Sequence, residues 1–95
     1  MKQKVILITG AAGFIGSNLA KNILQKDSEV QVIGIDNLND YYDVKLKEER
    51  LKKLNGYGNF RFIQMDIADA AAMKALFEGE KPDIVVNLAA QAGVR

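Results

Sequence analysis

The sequence predicts an α/β fold, a parallel sheet whose strands alternate with helices in the order β-α-β-α-β-α-β. Three observations predict it. Four short apolar runs recur along the chain, centred on Val5-Ile6-Leu7-Ile8, Val32-Ile33-Gly34-Ile35, Phe60-Arg61-Phe62-Ile63 and Ile84-Val85-Val86. Helical patterns separate them, and the first run is uniformly apolar rather than alternating, as in a strand covered on both faces. That run leads directly into Gly10, Gly13 and Gly16, spaced G-x-x-G-x-x-G, and a helical pattern begins where the glycines end.

The elements follow in order. The first strand spans Lys4 to Thr9. The first helix spans Phe14 to Lys26, with Ile15, Leu19, Ile23 and Leu24 on one stripe and Ser17, Asn18, Lys21 and Gln25 mostly off it. Gly16 falls on the inward side, where a missing side chain lets helix and strand approach. The second strand runs from Val30 to Asp36, with Gly34 as a point of close packing. A polar and aromatic loop, Asn37 to Val44, precedes a second helix over Lys45 to Leu54, whose narrow apolar side is Leu46, Leu51 and Leu54. Its lysines and glutamates offset one another and read as a solvated face. The third strand is Phe60 to Met65, ending at Asp66. Asp69 is a good N-cap for a third helix from Ala70 to about Glu78, with Met73, Leu76 and Phe77 supplying its apolar side, and Gly79 ends it before Pro82. The fourth strand is Asp83 to Leu88, and Ala89 to Arg95 leave it as a small-residue loop.

Composition narrows the function. The 95 residues suit one small domain with a modest core. A formal net charge of +1 implies no broad attraction to nucleic acid or to an anionic membrane. The absence of cysteine excludes disulfides and thiolate metal sites, and the absence of histidine removes the usual general base. The opening apolar run breaks at Thr9-Gly10, too short for a membrane span, and no signal-peptide cleavage region follows it. A cytoplasmic protein is the expectation.

The glycine loop carries the chemistry. A helix N-terminus leaves backbone N–H groups unpaired and bears a partial positive charge, so it attracts anions. Asp36 closes the second strand twenty positions after Gly16. An acid at that interval is expected to accept hydrogen bonds from the adenosine ribose in a Rossmann-type sheet of strand order 3-2-1-4. It would repel a 2′-phosphate, so NAD is expected rather than NADP. Every residue named for chemistry lies at a carboxyl end of a strand, where such sheets bind ligand.

With those residues placed, the chain resembles the extended short-chain dehydrogenase/reductase superfamily, and within it the NAD-dependent nucleotide-sugar epimerases and dehydratases. The stretches that carry the resemblance are T-G-A-A-G-F-I-G-S-N-L at 9–19, D-N-L-N-D-Y-Y-D at 36–43, M-D-I at 65–67 and N-L-A-A-Q-A-G-V-R at 87–95. The second of these, with L-K-E-E-R-L and A-A-Q-A-G-V-R, looks most like UDP-glucuronate 4-epimerases. The resemblance implies that Gly10, Gly13, Phe14, Ile15 and Gly16 hold a pyrophosphate through backbone N–H groups. It assigns the adenosine ribose to Asp36, assisted by Asn37, Asn39 or Asp40, and the adenine edge to Asp66 and Ile67. Leu88, Ala89, Ala90 and Gln91 would border the middle of the cofactor, and Gly93, Val94 and Arg95 would begin a sugar-nucleotide pocket. Asn87 stands where many relatives carry histidine.

The family's catalytic Tyr-x-x-x-Lys pair, its later strands and its substrate domain are missing from these residues. Tyr41 precedes Lys45 by four, but in the loop after the second strand, on the adenosine side. The expectation is therefore the N-terminal part of an NAD-binding domain. It binds a dinucleotide, has no catalytic residue or metal of its own, and serves a nucleotide-sugar epimerase or dehydratase. A stand-alone nucleotide-binding module is the alternative. Two helices on one face and one on the other leave the fourth strand thinly covered, so self-association through that region is expected.

Overall fold

The computed structural model of the protein describes residues 4–27, 29–37 and 44–88. Through them run β1 (Val5–Thr9), α1 (Phe14–Lys26), β2 (Gln31–Asp36), α2 (Val44–Asn55), β3 (Phe60–Gln64), α3 (Ala70–Glu80) and β4 (Ile84–Asn87). The strands form one parallel sheet in the order β3-β2-β1-β4. Right-handed crossovers give that order when the chain steps outward twice and then reverses past β1. Leu7 sits at its centre, in register with Ile33 on one side and Val85 on the other. The sheet and its order are those read from the sequence, with strand and α2 limits shifted by single residues.

Side chains alternate across the sheet and divide the core in two. Ile6, Ile8 and Val32 face α1 and α2, and pack with Ala20, Leu24, Leu51, Leu54 and Phe60. Val5, Leu7, Ile33 and Ile35 face α3 and pack with Leu76, flanked by Ile63, Met65, Ile67 and Met73. A Cβ on Gly34 would lie 2.7 Å from the Ala11 Cβ and 2.9 Å from the Phe60 Cζ, so its bare backbone is what lets Phe60 fold over β2. At the start of β4, Asp83 Oδ2 accepts the Val5 N–H at 2.8 Å while the Asp83 N–H donates to the Val5 carbonyl at 2.8 Å, fixing the β1–β4 register. Arg61 of β3 pairs with Glu80 at the end of α3. Among the described residues no helix is long and apolar enough to cross a membrane.

Three helix readings need correction. In α1 the buried residues are Gly16, Ser17, Ala20 and Leu24, while Ile15 is 67% exposed. The close approach of α1 to the loop before it turns the small residues inward and leaves no room for a branched side chain there. In α2 Leu46 is exposed, and Lys47, Arg50, Leu51 and Leu54 make the inward side. In α3 the N-cap is as expected, with Asp69 Oδ1 accepting the Ala72 N–H at 3.1 Å, but the helix passes through Gly79 to Glu80. Pro82 ends it, because a proline disfavours the right-handed helical region at the residue before it. Lys81 is the C-cap and turns left-handed, with φ 49°, its N–H donating to the Phe77 carbonyl at 2.9 Å. Gly79 is thus a helical glycine with nothing within 4 Å of where a Cβ would stand. Gly79→Ala should raise the unfolding free energy by about 0.5–1 kcal/mol, read as a higher urea midpoint at unchanged slope.

Candidate functional site

The turn from β1 into α1 is built by internal hydrogen bonds. Gly10 takes a positive φ of 74°, open to glycine at little cost. The N–H groups of Gly10 and Ala11 both donate to the Ile35 carbonyl, at 2.7 and 3.1 Å, which draws the loop across the end of β2. The Gly13 N–H donates to the Gly10 carbonyl at 3.1 Å, and the Ser17 N–H donates to the Gly13 carbonyl at 2.9 Å to open the helix. Gly13 is the N-cap, and no side chain caps the helix. The loop amides of Gly10 and Gly13 are therefore used inside the fold. Those that head the helix belong to Phe14, Ile15 and Gly16, whose N–H groups have no partner one turn back. Phe14 and Ile15 carry exposed side chains, so their amides stand at the surface end of the helix.

Asp36 meets the same loop from β2. Its side chain is buried, and its Oδ2 accepts the Ala12 N–H at 3.1 Å. Its Oδ1 lies 3.3 Å from Lys47 Nζ. One turn along α2, Arg50 Nη1 donates to the Ala12 carbonyl at 3.1 Å, with the guanidinium 5.9 Å from the centre of the Phe14 ring. Both polar groups of Ala12, a fully buried residue, are thus held by side chains from two other elements. Lys47 and Arg50 are the site residues that sequence reasoning missed. Their signal was present: positions 47, 50, 51 and 54 share one helical stripe with the two leucines that are buried. Lys45, Glu48, Glu49, Lys52 and Lys53 form the exposed charged face expected of α2, while Lys47, off that face, brings a cation to the strand-end acid.

Around this centre the other expected residues fall along the same edge of the sheet. Asn37 follows Asp36 and is exposed. The Met65 N–H donates to the Asp36 carbonyl at 3.1 Å, so the segment after β3 runs beside the end of β2. Asp66 is exposed, and its Oδ1 accepts the Ala68 N–H at 2.9 Å in a local turn. Ile67 packs on the α3 side of the core and lines a concavity of about 600 Å³ with Thr9, Met73, Phe77, Val85 and Asn87. Thr9 and Asn87 tie β1 to β4, Thr9 Oγ1 donating to Asn87 Oδ1 at 2.5 Å. The Leu88 N–H then donates to Thr9 Oγ1 at 3.0 Å and to the Thr9 carbonyl at 3.2 Å. Asparagine at 87 therefore has a structural partner in Thr9. The expectations on Asn39, Asp40, Ala89, Ala90, Gln91, Gly93, Val94 and Arg95, and the Tyr41 of the Y-x-x-x-K coincidence, lie outside the described residues.

The profile of the GDP-mannose 4,6-dehydratase family matches residues 7–95. The chain is 52% identical over 90 residues to Protein CapI of Staphylococcus aureus, covering 95% of this chain and 26% of that protein. It is 47% identical over 89 residues to a UDP-glucuronate 4-epimerase of Thermodesulfobacterium geofontis, covering 94% of this chain and 27% of that one. The fold is similar to a crystal structure of UDP-glucuronic acid 4-epimerase from Bacillus cereus in complex with UDP-glucuronic acid and NAD. That match has a TM-score of 0.78 and 41% identity over 96% of this chain and 28% of the other. The chain spans about a quarter of the length of these curated relatives.

Proposed function

Because the chain belongs to the GDP-mannose 4,6-dehydratase family, among the NAD-dependent epimerases and dehydratases of the extended short-chain dehydrogenase/reductase type, we propose that it is the cofactor-holding portion of a nucleotide-sugar 4-epimerase. The cofactor is NAD, and the sugar nucleotide of the whole enzyme is a UDP-hexuronate such as UDP-glucuronate. The observation that carries the reading is the hydrogen bond from the Ala12 N–H to Asp36 Oδ2. It ties a carboxylate to a loop whose next amides head an uncapped helix, so an acceptor for pentose hydroxyls and donors for a pyrophosphate adjoin one another. Relatives with NAD in their solved structures support the same reading.

The residues present fit that group. Gly16, with no Cβ, lets the helix head sit against the Gly10 carbonyl, and the amides of Phe14, Ile15 and Gly16 are available to phosphate oxygens. Asp36 accepts from the ribose. Asp66 and Ile67 flank the adenine, and Leu88 borders the centre of the cofactor beside β4. Asn37, Asn39 and Asp40 are assigned to the ribose rim, Ala89, Ala90 and Gln91 to the cofactor's middle, and Gly93, Val94 and Arg95 to the sugar-nucleotide side. When bound, NAD would supply a reversible hydride acceptor for the sugar. The residues of this chain bind and orient; none of them is assigned a proton transfer.

Calorimetric titration with NAD and with ADP-ribose tests the reading. Comparable, weak binding of both is expected, because the anchoring contacts lie on the adenosine and pyrophosphate side. Folded chain that binds neither overturns it.

The chain's partner in isolation is proposed to be a second copy of itself. β4 is an edge strand, and Ile84 and Val85, on opposite faces of it, are 42% and 45% exposed. Exposed apolar edges of this kind pair with other chains. Sedimentation velocity should show association that grows with concentration and that Val85→Glu weakens. A monomer across the whole concentration range overturns it.

A further inference from the structure

The peptide that joins Ala12 to Gly13 is gripped at both ends. Its carbonyl accepts from Arg50 Nη1 at 3.1 Å, and its N–H donates to the Gly10 carbonyl at 3.1 Å. The next peptide, from Gly13 to Phe14, has its carbonyl engaged by the Ser17 N–H at 2.9 Å, and its N–H is the first of those that head α1. We infer that Arg50 is a positioning residue for the pyrophosphate. It does not touch the ligand; it fixes the peptide plane one residue ahead of the Phe14, Ile15 and Gly16 amides, and so keeps those donors in one arrangement. The inference rests on the proposed function above and names the residue that holds its phosphate-binding end in place.

Gly13 has no Cβ, so the torsion that follows this peptide is among the least restricted in the turn. Ala12 is fully buried, and a buried carbonyl that loses its partner turns toward another. Without the guanidinium, the plane keeps a single hydrogen bond, to Gly10, and glycine permits the rotation. Asp36 does not substitute for Arg50, because the Ala12 N–H that it accepts belongs to the preceding peptide. Arg50 is itself well placed to hold. Leu51 and Leu54 beside it in α2 are 7% and 2% exposed and seat that helix on the core. Its guanidinium stands 5.9 Å from the centre of the Phe14 ring, in reach of a cation–π contact. A charged donor also makes the stronger hydrogen bond to a carbonyl. A bare Ala12 carbonyl would present partial negative charge in the turn that receives a diphosphate, whereas the guanidinium reverses that sign. The geometry of the α1 head thus depends on the docking of α2.

The test follows backbone amide resonances of the full chain by NMR, as wild type, R50M and L76V, during titration with ADP-ribose and with adenosine. Adenosine carries no phosphate for the helix-head amides. R50M should raise the ADP-ribose dissociation constant about tenfold, the scale of one charge-assisted hydrogen bond, and leave that of adenosine unchanged. In the ligand-free chain, R50M should already shift the Phe14, Ile15 and Gly16 amides. L76V, which thins the core on the α3 side, should lower the urea midpoint and leave both affinities as they are. The inference is overturned if R50M weakens both ligands alike, if it weakens neither, or if L76V moves their ratio as far as R50M does. It is also overturned if R50M weakens ADP-ribose while the ligand-free resonances stay in place, since Arg50 would then touch the ligand directly. Should R50M fail to fold, the same readouts on R50Q decide. Wild-type chain that is folded yet binds no ADP-ribose overturns the proposed function, and this inference with it.

Discussion

Gly16→Ala is expected to lower the unfolding free energy by about 3 kcal/mol or more and to abolish dinucleotide binding. A Cβ at this position would stand 2.1 Å from the Gly10 carbonyl oxygen, 2.9 Å from its carbon and 3.1 Å from the Ala11 Cα. All three are backbone atoms, so no side chain can swing aside. Relief requires α1 to move away from the β1 turn, and the amides of Phe14, Ile15 and Gly16 move with it. Gly13→Ala provides the contrast. Its Cβ would meet one backbone atom, the Gly10 oxygen, at 3.3 Å, and its φ of −73° is open to any residue. Folding should survive it with a loss of about 1 kcal/mol or less. Urea unfolding of the two variants separates them; equal losses would show that the clash at 16 is relieved elsewhere. The glycines of the G-x-x-G-x-x-G signature thus do different work: Gly10 supplies a backbone conformation and Gly16 supplies space. Gly13, whose amide closes the turn, is constrained by neither in the chain itself. If Gly13→Ala folds but fails to bind ADP-ribose, the ligand is what requires glycine there.

Asp36→Ala should cost about 2 kcal/mol of stability and remove NAD binding. The stability loss has a specific origin. Ala12 is fully buried, and its N–H would lose the oxygen it donates to at 3.1 Å. Leaving a buried N–H unsatisfied costs about 1–3 kcal/mol, and the loss of the Lys47–Asp36 ion pair adds a smaller amount because the lysine side chain keeps some solvent. Asp36→Asn should be markedly milder in urea unfolding, since an amide oxygen can take the carboxylate's place. If the two variants unfold alike, the Ala12 hydrogen bond contributes little and the loop is held by other contacts. Calorimetry with NAD provides the second readout, because the ribose acceptor is lost with the carboxylate in the alanine variant whatever the loop does.

These two residues also mark how far the sequence can be read. Glycine spacing after an apolar run announces the turn, and an acid twenty positions after Gly16 announces the strand-end acceptor, because turn chemistry and strand length are local properties. Asp69 was legible as a helix cap for the same reason. Gly79 misled because its neighbourhood contains two stop signals, and the stronger one, Pro82, lies three residues later. Ile15 misled because hydrophobic periodicity assumes that large side chains seek the core, whereas here the helix lies too near the loop to admit one.

The sequence by itself determined the element order, the parallel sheet and the two chemical ingredients, a glycine turn and a carboxylate at the end of the next strand. Periodicity, turn residues and crossover handedness suffice for those. Only the tertiary structure decided that Lys47 and Arg50 belong to the site, that Ser17 rather than Ile15 faces inward, and that the amides of Gly10 and Gly13 are spent within the loop. Each of those depends on where α2 and α1 dock against residues distant in the chain, and a charge or an amide acquires its partner only when that docking is complete.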